Sequence, residues 1–220
     1  MFQFLRELAN NNNRDWFNEN KERYRSEVVT PVIDFIDAMR PRMQAISPHY
    51  VVDTRRHGGS MFRIYRDTRF SKNKQPYKEH VGCQFRHEAG KDAHAPGFYV
   101  HLAPDEILFG GGVWNPPNPV LSKIRDAIVD NPNSWKVIKA NKTFIKRFGG
   151  IHGDGLQRPP RGYAADHQHI ADLKRKTFFA MQTGSMEQAQ SAEFVAEVTR
   201  AFKAASPLME FLTTSLELPY

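Results

Sequence analysis

Apolar residues over the first 46 positions recur at helical spacing. Phe2, Leu5 and Leu8 share one side of a helix, and the asparagine run at 10–13 breaks that pattern. Asn13 is placed to cap a second helix starting near Arg14, in which Trp16, Phe17, Tyr24 and Val28 fall on one side. The chain is therefore predicted to open with a helical hairpin. Thr30 followed by Pro31 reads as a cap and first-turn proline for a further helix through Met39 and on to Ile46, with Pro41 kinking or ending it.

From residue 50 the period falls to two. YVVDT, MFRIYR, GCQFRHE, GFYVHLA and EILFG are short β-branched or aromatic runs separated by Gly, Pro and charged turns, which predicts an antiparallel meander of about five strands. TFFAMQ at 177–182 is a candidate sixth. Between them the helical period returns in VLSKIRDAIVD and NSWKVIKANKTFIKRF, followed by the polar loop GGIHGDGLQRPPRGYAA and a helix opened by Asp166. Helices from about 187 to 204 and from 207 to 216 close the chain. No repeat or low-complexity linker divides it, so residues 1–220 read as one α+β domain. Its antiparallel sheet of five or six strands is expected to carry the N-terminal hairpin and the C-terminal helices on one face.

Composition narrows the partners. The chain has 220 residues, 40% of them apolar, which is enough for a sizeable core. Its 31 Lys and Arg against 24 Asp and Glu give a formal net charge of +7, which favours anionic partners. One cysteine, Cys83, excludes an intrachain disulfide, and the opening MFQFLRELANNNN lacks the profile of an export signal. No run approaches the length of a membrane span, so the expected location is the cytoplasm, with no membrane partner.

The charge concentrates in one place. RIYRDTRFSKNKQPYKEH at 63–80 holds three arginines and three lysines with Tyr65, Phe70 and Tyr77 among them. Read as a strand, Phe62, Ile64 and Phe70 share a face with Arg66, while Arg63, Tyr65, Asp67 and Arg69 share the other. Two unscreened cations two positions apart on a strand repel by about 2 kcal/mol at an effective dielectric near 20. Alternation adds Gln84, Arg86, Tyr99 and His101 to the same polar face. Guanidiniums grip carboxylate or phosphate in pairs of bonds and tyrosines supply neutral donors, so this surface suits an anion. The structural alternative is that the arginines tie helices and loops to the sheet through buried ion pairs.

FLRELANNNNRDWFNENKERY, FRIYRDTRFSKNKQPYKEH, GGGVWNPP and LQRPPRGYAADHQHIADLKRK occur in that order, and with them the chain resembles the largely bacterial family catalogued as domain of unknown function 2461. The resemblance covers nearly the whole chain, and RDTRFSKNKQPYK is its most specific part. It departs at Asn73 and Gln168, where the family pattern more often has Asp and Pro. It supports single-domain boundaries and a cytoplasmic protein and transfers no catalytic residue.

Other motifs are weaker. GGGVWNPPNP at 110–119 precedes a helix start but lacks the GK[ST] of a phosphate loop, so close backbone packing explains it better. Arg158, Arg161 and Tyr163 lie in a proline-stiffened loop that offers a second wall for an anion site. His152 with Asp154, and Asp166 with His167 and His169, have poor spacing for a metal, and none is expected. Ser71-x-x-Lys74 lacks its companion motifs, and Cys83 reads as a small core residue. Tyr65, His101 and Asp67 are conceivable acid–base groups with no geometry to support them. The reading that results is binding of an anionic or phosphorylated small ligand on a surface built from Arg63, Arg66, Arg69, Lys72, Lys74, Tyr77, Lys78 and Arg161. Catalysis, any cofactor and the oligomeric state stay open. Single-stranded nucleic acid is the runner-up, because aromatics interleaved with cations can stack bases and hold phosphates, and a structural or protein-partner role for the arginines is the third reading.

Overall fold

The computed structural model describes residues 1–90 and 95–220. The N-terminal pattern folds as its spacing requires. Helix α1 (Phe2–Asn10) buries Phe2, Phe4, Leu5 and Leu8, and α2 (Arg14–Glu19) is capped by Asn13, whose side chain accepts from the Trp16 amide. A short α3 (Lys21–Arg23) runs through a π-helical stretch (Tyr24–Val29) into α4 (Thr30–Ile46). Pro41 does not end α4. It sits on the exposed side, where the Asp37 carbonyl left without its N–H partner reaches water.

Four strands form the sheet, in the order β1 (Val81–Arg86), β2 (Gly97–Leu102), β3 (Ile107–Val113) and β4 (Phe178–Gly184), every pair antiparallel. The expectation of five or six strands is thus corrected to four. TFFAMQ does supply a strand, but YVVDT and MFRIYR do not. They adjoin β1 through isolated bridges, Met61 to Cys83 within it and Tyr50 to His87 just past its end, and not through a ladder. MFRIYR instead folds back on KNKQPYKEH, through a Tyr65–Tyr77 bridge and the bonds Arg66 N to Pro76 O and Lys78 N to Ile64 O. Pro76 has no N–H, so a regular ladder cannot run through this hairpin.

Between β3 and β4 lie α5 (Asn118–Asp130), α6 (Pro132–Ala140), α7 (Lys142–Phe148) and the one-turn α8 (Ile170–Leu173). The expected single helix over 134–148 divides because the Asn141 side chain accepts from the Phe144 amide and starts a new one. The helix expected at Asp166 begins only at Ile170. After α9 (Met186–Gln190), α10 (Phe194–Thr214) runs unbroken past Pro207, where two helices were expected. The carbonyl that Pro207 frees belongs to exposed Lys203.

One contiguous core joins the helices to one face of the sheet. Cys83, Phe85, Phe98, Val100, Phe109 and Ala180 point into it, and Phe202 of α10 packs at 4.7 Å from Phe98 and 5.9 Å from Phe85 between ring centres. Each fully buried side chain of this size stabilises by about 1.5–3 kcal/mol. The alternate positions face the other way: Gly82, Gln84, Tyr99, His101, Leu108, Gly110, Gly112, Phe179 and Met181. That second face carries the site.

Candidate functional site

The outer face of the sheet is concave, and the triple glycine makes it so. By alternation Gly111 faces the core, where a Cβ would strike the Met209 sulfur at 2.6 Å. Gly110 and Gly112 face outward, yet a Cβ on them would meet backbone of β4, the Ala180 carbonyl at 1.9 Å and the Phe178 carbonyl at 2.2 Å. Strand β4 therefore leans over the outer face of β3, a curl that any side chain at 110 or 112 would block. The hollow holds about 650 Å³. Phe62 and Tyr99 stand at its β1 end with ring centres 6.0 Å apart, and Trp114, 59% exposed, stands with Phe179 at its β4 end at 5.4 Å. Leu108 and Met181 line it between them.

Cations gather at the β1 end. The Lys78 ammonium lies 5.3 Å from the centre of the Phe62 ring. Burial, and after it the charge of Arg63, holds its pKa below the usual lysine value. His80 stacks on His101 with ring centres 4.4 Å apart. Burial, then His101, Lys78 and Arg66, push the His80 pKa down to about 4, so its ring is uncharged at neutral pH. His101 is lowered by burial too, against the opposing pull of Glu106, whose carboxylate is 3.6 Å from Nε2, and of Asp105. Its Nδ1 lies 3.4 Å from the Tyr99 hydroxyl.

Behind the hairpin is a second, smaller hollow of about 350 Å³, lined by Arg14, Asn18, Tyr65, Arg66 and Tyr77 among others. Tyr77 is fixed there by stacking on Phe17 at 4.1 Å between ring centres and is 3% exposed. Its pKa is raised by burial, then by Tyr65, with Arg14 pulling the other way.

The residues singled out in the sequence divide accordingly. Lys78 and Arg66 act on His80, and Arg63 acts on Lys78, while Tyr77 lines the second hollow. Arg66 is half-buried and donates to Gln75 Oε1 at 3.4 Å. Phe70, assigned by alternation to the core-like face, is 95% exposed at the hairpin tip, beyond the Tyr65–Tyr77 bridge, where no strand fixes the alternation. Arg69 is paired with Asp67 at 2.7 Å, which holds that carboxyl at about 2. Lys74 donates to the Thr68 carbonyl rather than approaching Ser71, and Lys72 is exposed. Arg161 is in the loop between α7 and α8, which bridges to β4 at His152–Phe179, while the hairpin adjoins β1 at the opposite edge of the sheet. Sequence reasoning missed Arg14, His80, Phe62 as a wall of the cleft, and Phe179 and Met181. The outward apolar residues of β4 were their visible trace.

The family model described as conserved hypothetical protein (DUF2461) matches residues 1–211. The chain belongs to this family. No curated protein and no solved structure matches it.

In this family member three other arginines are structural ties. Arg125 donates to the Leu173 and Arg175 carbonyls, Arg147 to Gln182 and Glu197, and Arg175 to Asp172. Asp172, 2% exposed, also accepts from Trp135 Nε1 at 2.9 Å and Lys139 Nζ at 2.6 Å. Burial raises its pKa, but these donors outweigh that and leave it below the usual value. The histidines weighed as ligands are committed to backbone: His152 Nε2 donates to the Phe148 carbonyl and His169 Nε2 to the Pro132 carbonyl. Among the described residues no three His, Cys, Asp or Glu are grouped to hold a metal, and no helix is long and apolar enough to cross a membrane. The Cys83 thiol is fully buried, which pushes it up to about 12 and leaves it unreactive.

Proposed function

We propose that the protein binds a small anionic ligand, a phosphorylated or carboxylated compound, at the face of the 61–80 hairpin, with Arg63, Arg66 and Lys78 as the cations that receive it. One observation carries the reading. None of these three forms a salt bridge among the described residues, while Arg23, Arg55, Arg69, Arg147 and Arg175 all do. The charge of Arg63 acts on Lys78 and on Asp67, a carboxylate already bonded to Arg69, and those of Lys78 and Arg66 act on His80. Cations held close with little counter-charge cost folding energy that an incoming anion returns.

The test is thermal unfolding with phosphate and pyrophosphate. At tenfold excess over Kd a ligand stabilises by about 1.4 kcal/mol, or about 3–5 °C in Tm for a chain of this size. The increase is expected to vanish in a combined Arg63→Ala, Lys78→Ala variant. An unchanged increase in that variant would remove the assignment.

Single-stranded nucleic acid is favoured by one feature, the fully exposed Phe70 with the Arg69 guanidinium 5.9 Å over its ring, a geometry that suits base stacking. It predicts oligonucleotide binding that falls steeply with salt, where a small anion gives a shallow slope.

A further inference from the structure

The hollow on the outer face of the sheet has features that a bare anion does not use. Its walls are aromatic and aliphatic, so an inorganic anion on Lys78 would leave most of the lining wet. We infer that this cleft holds the flat heteroaromatic ring of a ligand whose anionic group meets Lys78 and Arg63, a ring-bearing phosphate ester of the nucleoside monophosphate class. The inference rests on the anion-binding reading and adds the kind of molecule that carries the anion.

Size permits it. About 650 Å³ lies in the middle of the range for small-molecule sites. Shape and chemistry then separate a ring from the other apolar anion, an acyl chain. The floor includes Gly97 and Gly112, which add no side chain of their own to the hollow. The two ends are the tilted pairs Phe62–Tyr99 and Trp114–Phe179, rings whose faces and edges suit offset stacking. A chain would be served by a tunnel of flexible aliphatic residues, and here only Leu108, Val113 and Met181 are of that kind.

A polar side chain in the lining points the same way. Gln84 sets its amide against the cleft floor, with Nε2 3.1 Å from where a Cβ on Gly97 would sit. An amide there can hydrogen-bond a ring nitrogen or an exocyclic group, and a hydrocarbon chain has neither. The Lys78 ammonium, 5.3 Å from the Phe62 ring centre, sets the charge at the β1 end of the same hollow, so one molecule can reach both.

Calorimetric titration with adenosine 5′-monophosphate, adenosine, ribose 5-phosphate and decanoate, with tryptophan fluorescence recorded in parallel, tests this. The nucleotide is expected to bind at least tenfold more tightly than ribose 5-phosphate and to change an emission signal that Trp114→Phe removes. Met181→Phe, which fills the cleft without adding charge, should weaken the nucleotide at least tenfold and leave ribose 5-phosphate unchanged, with an unaltered Tm confirming its fold. Lys78→Ala should weaken both phosphates. Equal affinity for nucleotide and ribose 5-phosphate, insensitive to Met181→Phe, would overturn the ring assignment and leave the anion reading standing. Adenosine binding as tightly as the nucleotide, insensitive to Lys78→Ala, would support the ring site and overturn the anion reading. Decanoate binding more tightly than the nucleotide, or no binding by any of the four, would overturn the inference.

Discussion

Replacing Lys78 by alanine separates a binding surface from a structural tie. In the folded protein the ammonium is half-buried over Phe62, and its pKa is depressed by burial first and by Arg63 second. A base whose pKa falls on folding destabilises the fold while it is charged, because the unfolded chain holds that proton more tightly. Truncation forfeits the cation–π contact, about 0.5–1 kcal/mol, and some packing of the stem. It relieves a repulsion of about 2 kcal/mol for cations on the order of 7 Å apart at an effective dielectric of 20, a figure that salt reduces. The two nearly cancel, so the urea midpoint should move by less than about 1 kcal/mol in either direction, with m unchanged. Arg66→Ala should behave alike, since Gln75 at 3.4 Å is all it loses. A loss of 3–5 kcal/mol in Lys78→Ala, the cost of stranding a buried partner, would refute the reasoning and make this cluster a structural network.

The contrast is Asp172→Ala, which strands the indole N–H of fully buried Trp135 together with Arg175 and Lys139. It should cost about 3–5 kcal/mol in chemical denaturation, and a loss below 1 kcal/mol would show that the network holds little. His80 predicts a pH effect. Its folded pKa of about 4 lies below the ordinary histidine value of 6.5, so the unfolded chain takes up the proton first, and stability present above pH 6.5 is lost as pH falls toward 4. Denaturation series at pH 7 and 4.5 should show His80→Gln losing about 1–2 kcal/mol less than the parent, a figure already discounted for partial exposure, and equal losses would count against the shift.

Much of the helical layer was legible because local chemistry decides it. Asn13 caps α2 as its position implied, and Phe2, Leu5 and Leu8 are all buried. Four of the six strand candidates pair. The two that fail, YVVDT and MFRIYR, have strand composition but meet β1 at single bridges, and no local pattern reveals how far a ladder extends. Prolines misled for a related reason: Pro41 and Pro207 are tolerated because the carbonyls they orphan face water, a fact of burial that local sequence does not contain. The cationic stretch was visible as composition, but which of its charges are compensated was not. Asp67 lies two residues from Arg69, one from Arg66 and four from Arg63, yet its salt bridge is to Arg69, with Arg63 acting on it only through its charge.

The cleft left a trace that alternation alone passes over. A strand covered by helices on one face and by water on the other should be apolar only at every second residue. Strand β4 breaks that rule, with Phe178 and Ala180 in the core and Phe179 and Met181 on the outer face, and β3 breaks it again with Leu108 beside glycines. Such residues on a face that no helix covers would be a liability unless something shelters them. What shelters them is the curl of β4, which requires glycine at 110 and 112. The apolar outer residues and the glycine run are therefore two consequences of one feature. A sheet bent into a hollow needs small residues where it bends and has apolar side chains inside it, and the Lys78 ammonium stands over Phe62 at one end of that hollow.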